Sequence, residues 1–319
     1  MLTNGSNQHF FILPSLLMSK KIVLLLIILT MLIWAANFYF VKIALAYFSP
    51  MGVAAWRFLF AVIVLIISMM IQRKTMKLRF YFSKKEWWYL FLTAFLGTFL
   101  TMYFFNKGLL TASPINGSLI IATSPVFTAI FARFLVKKKL SILQWFSIFL
   151  SILGVTILLV KGDLNELFAL QVSGGDGYIV LMSIVLSLAQ IVVVKNLGHV
   201  DSILLTTVTC TMAFLLFIAC SLPEILTTPL PSDGYFWGSI VFMGILGTGL
   251  GYIVFYLSIV ELGATKTILF MNLIPFFVVL IAILFGEPIL ISQLIGGMII
   301  ILGLWIFNRE NKKGVLSNA

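Results

Sequence analysis

The sequence predicts an all-α polytopic membrane protein, with ten transmembrane helices arranged as two inverted five-helix repeats. Three observations lead there: the apolar content, the placement of the charges and an internal repeat. Of 319 residues 61% are hydrophobic and 10% are charged, with a mean hydropathy of +1.15. A soluble domain carries about 25% charged residues. So many apolar side chains would leave a surface that water does not dissolve, and they exclude a disordered chain. The apolar set is about 195 residues, roughly what ten spans of ~20 residues consume.

The apolar runs are bounded by charges, Pro and Gly. They place helices at 22–46, 51–71, 87–108, 114–136, 141–160, 177–195, 202–222, 236–260, 264–285 and 289–307. Lipid offers backbone groups no partner, and these runs lack the alternation of a barrel strand, so each is expected to be a helix. Residues 1–19 read as an N-terminal tail. Basic residues follow their short apolar stretch (10–18) instead of preceding it, and no small-residue cleavage site comes after.

The net charge is +11, but the cations sit in the gaps between spans, which speaks for membrane topology and against a nucleic-acid partner. Lys20 and Lys21 precede span one; Arg73, Lys74, Lys77, Arg79, Lys84 and Lys85 follow span two. Arg133 and Lys137–Lys139 end span four, Lys195 follows span six, Lys266 opens span nine, and Arg309, Lys312 and Lys313 close the chain. All fall on one side if the spans alternate. The other side receives Lys161 with Asp163, Glu166, Asp176, Glu224, Asp233 and Glu287. Both termini are therefore expected in the cytoplasm, with the protein in the plasma (inner) membrane.

The repeat is read in register. Leu96-Gly97-Thr98 recurs as Leu246-Gly247-Thr248, and the same offset pairs Phe105 with Phe255, Pro125 with Pro275 and Ala132 with Ala282. Near the start of each half, Ala36-Asn37 and Val41-Lys42 correspond to Ala189-Gln190 and Val194-Lys195. The predicted organisation is a tail (1–19), a first repeat (20–160), a second repeat (161–308) and a cytoplasmic tail (309–319). Five spans is an odd number, so the second copy enters the membrane in the opposite sense. Inverted repeats are the architecture of many secondary transporters.

With Trp34-x-x-Asn37-x-x-x-x-Lys42, Pro50, Arg57, Pro125, Gly286-Glu287-Pro288, Gln293 and Gly296-Gly297 in this order, the chain resembles the drug/metabolite transporter superfamily. It is most similar to the ten-helix permeases built from two EamA domains, over roughly residues 20–308. Lys137–Lys139 departs from the Glu-Arg often found at that place in the first repeat. The resemblance implies a permease that exports amino acids, related metabolites or drugs, with no cofactor.

Polar groups within hydrocarbon are costly, and so are candidates for the substrate path. Arg57 leads: it lies about seven residues into span two, ~10 Å below the surface at ~1.5 Å per residue, and Cys210 takes its place in the second half. Lys42 and Lys107 lie near helix ends, where long cations also reach headgroups. The mid-depth polar set adds Trp34, Asn37, Tyr103, Asn106, Gln190, Tyr252, Tyr256 and Asn272, with Asn37 and Gln190 expected as a symmetric pair. Pro125 and Pro275, with Gly97 and Gly247, are hinge candidates, because a mid-helix proline removes a backbone hydrogen bond and bends the helix. Gly154, Gly296, Gly297 and Gly303 read as packing positions.

No P-loop occurs, and no Asp or Glu falls at mid-depth. Cys210 and Cys220 read as small buried hydrophobes, His199 as a lone solvated loop residue, and no metal site is expected. The expected partners are a small-molecule substrate and the lipid bilayer, with spans five and ten read as outer scaffold or as the surface for a second copy. Two other functions are weighed: a nucleotide-sugar or phosphorylated-metabolite exchanger, suggested by Arg57, Lys42 and Lys107, and a membrane-embedded lipid-modifying enzyme. The enzyme would need clustered acids, and those here are scattered. The charge asymmetry carries its own test. A reporter fused after Lys313 is expected to be active if it works in the cytoplasm; activity of a periplasm-dependent reporter there would reverse the topology.

Overall fold

The computed structural model describes residues 19–71, 82–135, 140–159, 174–262, 267 and 270–316, and every regular element among them is a helix. Several basic residues that orient the chain (Arg73, Lys74, Lys77, Arg79, Lys137–Lys139, Lys161 and Lys266) lie outside the described residues, as do Asp163, Glu166 and most of the N-terminal tail. The first half contributes α1 (Lys20–Ala44), α2 (Pro50–Ile71), α3 (Lys84–Leu109), α4 (Pro114–Leu135) and α5 (Ile142–Leu159). The second contributes α6 (Gly174–Asn196), α7 (Ser202–Thr227), α8 (Gly234–Leu262, in three pieces), α9 (Leu273–Leu284) and α10 (Ile291–Leu316). Among the described residues, seven helices are long and apolar enough to cross a membrane. Three shorter apolar helices, Ile142–Ile157, Leu273–Leu284 and Ile291–Gly303, complete the ten. The face where α1 begins and α10 ends is called terminal here, and the opposite face distal.

Local chemistry sets the helix starts. Ser83 and Glu86 form a reciprocal capping box on α3. Pro114 enters α4 behind the Ser113 cap, and Asp201 and Asp233 cap α7 and α8. α7 continues past its expected end at 222 and through Pro223. A proline there deprives only one carbonyl of its donor, and Thr227 Oγ1 donates to the Pro223 carbonyl at 2.8 Å in the turn that follows.

The repeat-related spans three and eight share a departure from the α-helix. Ala94–Leu100 in α3 and Phe242–Leu250 in α8 are π-helical, and both contain the Leu-Gly-Thr motif. A π stretch closes i→i+5 bonds and inserts an extra residue into the turn, which changes side-chain direction and loosens nearby carbonyls. Spans four and nine also interrupt together. α4 breaks at Thr123, just before Ser124-Pro125, and α9 begins after a turn at Met271–Asn272, two residues before Pro275.

The halves interlock instead of standing side by side. α1 packs on α8 and α9, α6 on α3 and α4, and α2 on α7 and α8. α5 and α10 pack mainly on each other at the periphery, and their outer faces expose Trp145, Phe149, Met298 and Trp305. Their crossing displays the inversion. A Cβ added at Gly154 would lie 2.7 Å from the Gly296 carbonyl; one at Gly303 would lie 2.7 Å from Ser151 Oγ and 3.0 Å from the Ser147 carbonyl. The contacts exchange when the halves are exchanged, and residue numbers run in opposite senses, so α5 and α10 are antiparallel. Close approach of this kind requires glycine. Gly154→Val or Gly303→Val is expected to splay α5 from α10 at a cost of ~1–3 kcal/mol, read as a lower melting temperature in detergent. An unchanged melting temperature would remove the crossing from the packing argument.

Candidate functional site

The site is built around the π stretch of α8. Arg57, on α2, is 7% exposed. Its Nε donates to Thr248 Oγ1 at 2.9 Å. Its Nη1 is buried without a hydrogen-bond partner, and no carboxylate pairs with it among the described residues. Tyr252 and Cys210 lie within electrostatic reach of the guanidinium. On the neighbouring α1, Trp34 Nε1 donates to the Gly247 carbonyl at 2.7 Å, while its ring meets Tyr252 edge-on at 5.9 Å and Phe255 at 5.5 Å. One turn further along α1, Asn37 is 5% exposed and leaves Oδ1 unpartnered. A Cβ at Gly247 would come within 2.6 Å of Asn37 Nδ2, so glycine is what lets α1 close on α8 here.

Trp34, Asn37, Arg57 and Tyr252 thus converge on Gly247–Thr248. The remaining candidates do not. Lys42 is exposed, Lys107 is half-buried, and Tyr103 is half-buried beside Phe104. Gln190 is no counterpart of Asn37: it is exposed, and its Oε1 accepts from Thr128 Oγ1 at 2.8 Å. The pairing fails because α1 and α6 face different neighbours. Asn272 is exposed on the same helix face as Phe276, Leu280 and Ile283 and looks away from the cluster. The Tyr256 side chain lies outside the described residues. Of the hinge positions, Pro125 is exposed and Pro275 buried, and Gly97 faces Ala189.

Other sequence expectations need correction. Cys210 is buried, but Cys220 is exposed on α7. His199 is solvated but not alone, since its Nε2 lies 2.8 Å from Glu86 Oε1. Three of the acids expected as scattered outer charges, Asp176, Glu224 and Asp233, bond across the two halves on the distal face. Glu224 accepts from the backbone N–H and the hydroxyl of Ser49, each at 2.6 Å, and Asp233 accepts from the Tyr47 hydroxyl. Asp176, 1% exposed, accepts from Asn116 Nδ2 at 3.2 Å, and Asn116 Oδ1 accepts from Gln293 Nε2 at 2.9 Å. Sequence reasoning missed these because charge pattern reports the side of the membrane and not the partner. Thr248 was within reach, since the repeated Leu-Gly-Thr marks it.

The terminal half is more open. On α6 one face carries Ser183 and Ser187, both fully buried, and then Gln190 and Val194, both exposed.

The EamA-like transporter family matches residues 21–160 and again residues 173–309. The chain belongs to this family. A Bacillus subtilis protein named uncharacterized transporter YyaM is 32% identical over 271 residues, which is 84% of this chain and 87% of that protein. An Archaeoglobus fulgidus protein named uncharacterized transporter is 28% identical over 280 residues, 87% and 94% of the two chains. A solved crystal structure superposes with a TM-score of 0.62 at 16% identity, covering 91% of this chain and 98% of its own, and shares the fold. This EamA-like protein is therefore a multi-pass membrane transporter.

The distal stitching is sensitive to pH. Hydrogen bonding from Tyr47, then from the Tyr235 backbone, holds the Asp233 carboxyl below its ordinary range. A depressed carboxylate contributes stability that is present above its unfolded pKa and lost as pH falls through the folded one. Tyr47→Phe is expected to lower the melting temperature slightly near neutral pH, with the difference from the parent disappearing in acid below the Asp233 pKa. A difference that persists in acid would show that the Tyr47 hydroxyl stabilises independently of the Asp233 charge.

Proposed function

We propose that this transporter is an alternating-access secondary carrier that exports amino acids, or related small metabolites or drugs, across the plasma membrane, and that Arg57 takes the anionic group of the substrate. One observation carries the reading: a guanidinium buried between α2 and α8 with Nη1 unpartnered. A cation is expensive at this depth and is retained where it meets a substrate or ion. Trp34 and Tyr252 supply an aromatic wall beside it, and Asn37 Oδ1 offers an acceptor.

The closed distal face and the exposed Gln190–Thr128 pair support loading from the terminal face, because a polar pair facing lipid would be costly. With both termini cytoplasmic, loading from that face is export. The breaks at Thr123 and Met271–Asn272 supply places where α4 and α9 bend as access alternates. A phosphorylated-metabolite exchanger gains less support. A dianion calls for several converging cations, and Lys42 and Lys107 do not join Arg57.

The test is uptake and efflux in proteoliposomes over amino acids, nucleosides and sugar phosphates, with and without a proton gradient. Arg57→Ala is expected to reduce transport at least ~100-fold, as loss of a charge-assisted bond in a desolvated site allows, while the chromatographic profile stays intact. Arg57→Lys is expected to restore only part, since an ammonium cannot reproduce the planar fork. Normal transport by the alanine variant would overturn the role of Arg57.

A further inference from the structure

Many buried hydroxyls in this protein donate to a carbonyl of their own helix and a few, such as Thr93 and Ser183, have no partner; Thr248 instead meets a side chain of another helix. Thr30, Thr207, Ser221 and Ser258 each donate to the carbonyl four residues back, the usual way a helix quiets a hydroxyl in lipid. Thr248 is 2% exposed. Its Oγ1 accepts from Arg57 Nε, 191 positions away in sequence. It sits inside the π stretch Phe242–Leu250, one residue after Gly247, whose carbonyl is taken by Trp34 Nε1. The extra residue of a π turn rotates the side chains that follow, and here it accompanies a hydroxyl aimed at α2 instead of back along α8.

A guanidinium is a planar fork, so fixing Nε fixes the direction of both terminal nitrogens. Arg57 has rotatable bonds enough to present Nη1 in many directions; one bond at Nε selects one of them. The π stretch and the threonine occur in both halves but the arginine in only one. Thr98, on α3 of the first half, is half-buried, and Cys210 of the second half stands where Arg57 does in the first. The symmetric framework therefore holds one anion-binding arrangement, not two.

We propose that Thr248 is the positioning residue that aims Arg57, holding its Nε so that Nη1 is presented to the anionic group of the transported molecule. The π turn of α8, pinned by Trp34, is what places it. This rests on the reading of Arg57 as the anion-binding residue, and it adds that the geometry of that residue is set from α8.

The experiment uses the full chain with Thr248→Val and Thr248→Ser, and it has two arms. In the first, arginine is labelled with 15N at Nε in detergent-solubilised protein, and the Arg57 signal is assigned by its loss in Arg57→Lys. The Arg57 Nε–H is expected to be protected from hydrogen exchange in the parent and in Thr248→Ser, and to lose that protection at least about tenfold in Thr248→Val, as loss of its acceptor implies. Equal protection in all three overturns the proposal, whatever the protein transports.

In the second arm, KM and maximal rate are measured in proteoliposomes for the common L-amino acids and their carboxamides. Thr248→Val is expected to raise KM for the acids at least about tenfold while leaving the maximal rate and the carboxamides unchanged; Thr248→Ser is expected to restore the acid KM. Equal losses for acids and carboxamides, or no rescue by serine, would make Thr248 a packing residue. Absence of amino-acid transport in the parent would count against the function proposed above and leave the exchange arm to decide Thr248.

Discussion

Hydrocarbon supplies no hydrogen-bond partner, and the structure depends on that constraint. It makes every described element a helix. It also requires each departure from the helical ladder to be answered from within the protein. The carbonyl of Gly247 in the α8 π turn is met by Trp34 Nε1, and hydroxyls along α1, α7 and α8 bond their own helices. Buried polar atoms without a partner also occur at Trp56 Nε1, Thr93 Oγ1, Asn106 Oδ1 and Ser183 Oγ; the Nη1 of Arg57 and Oδ1 of Asn37 differ in lying on neighbouring helices and facing consecutive residues of α8. Unmatched groups that gather in this way are candidates for completion by a ligand.

The inverted repeat divides the molecule into parts that are duplicated and parts that are not. Duplicated parts are mechanical. Gln144 and Gln293 cap the starts of α5 and α10 in the same way, through the backbone N–H groups of Ser141 and Leu290. Gly154 and Gly303 mirror one another at the α5–α10 crossing, and both Leu-Gly-Thr motifs are π-helical. The polar chemistry is single: Arg57 has Cys210 opposite it in the repeat, and buried Asn37 has exposed Gln190. A carrier that exchanges the conformations of its halves needs symmetry in its framework.

Asymmetry also governs the distal face. Asp176, Glu224 and Asp233 all come from the second half, and their partners Asn116, Ser49 and Tyr47 from the first. Each of these contacts is a hydrogen bond to a neutral group and not an ion pair.

The sequence by itself determined the membrane class, the ten spans and the five-plus-five inversion, because apolar run length and a repeat in register are properties of the chain read along one dimension. It also marked Arg57, Trp34, Asn37 and the Leu-Gly-Thr motif, since polar groups at mid-depth stand out against lipid-soluble neighbours. Tertiary structure decided which of these meet. Trp34 and Asn37 reach Gly247 across more than 200 positions, Arg57 reaches Thr248 across 191, and Asn272 turns away with Phe276 and Leu280. Depth in a membrane can be counted from the sequence. The direction a side chain faces around its helix is set by which helices pack on it, and that depends on the whole fold.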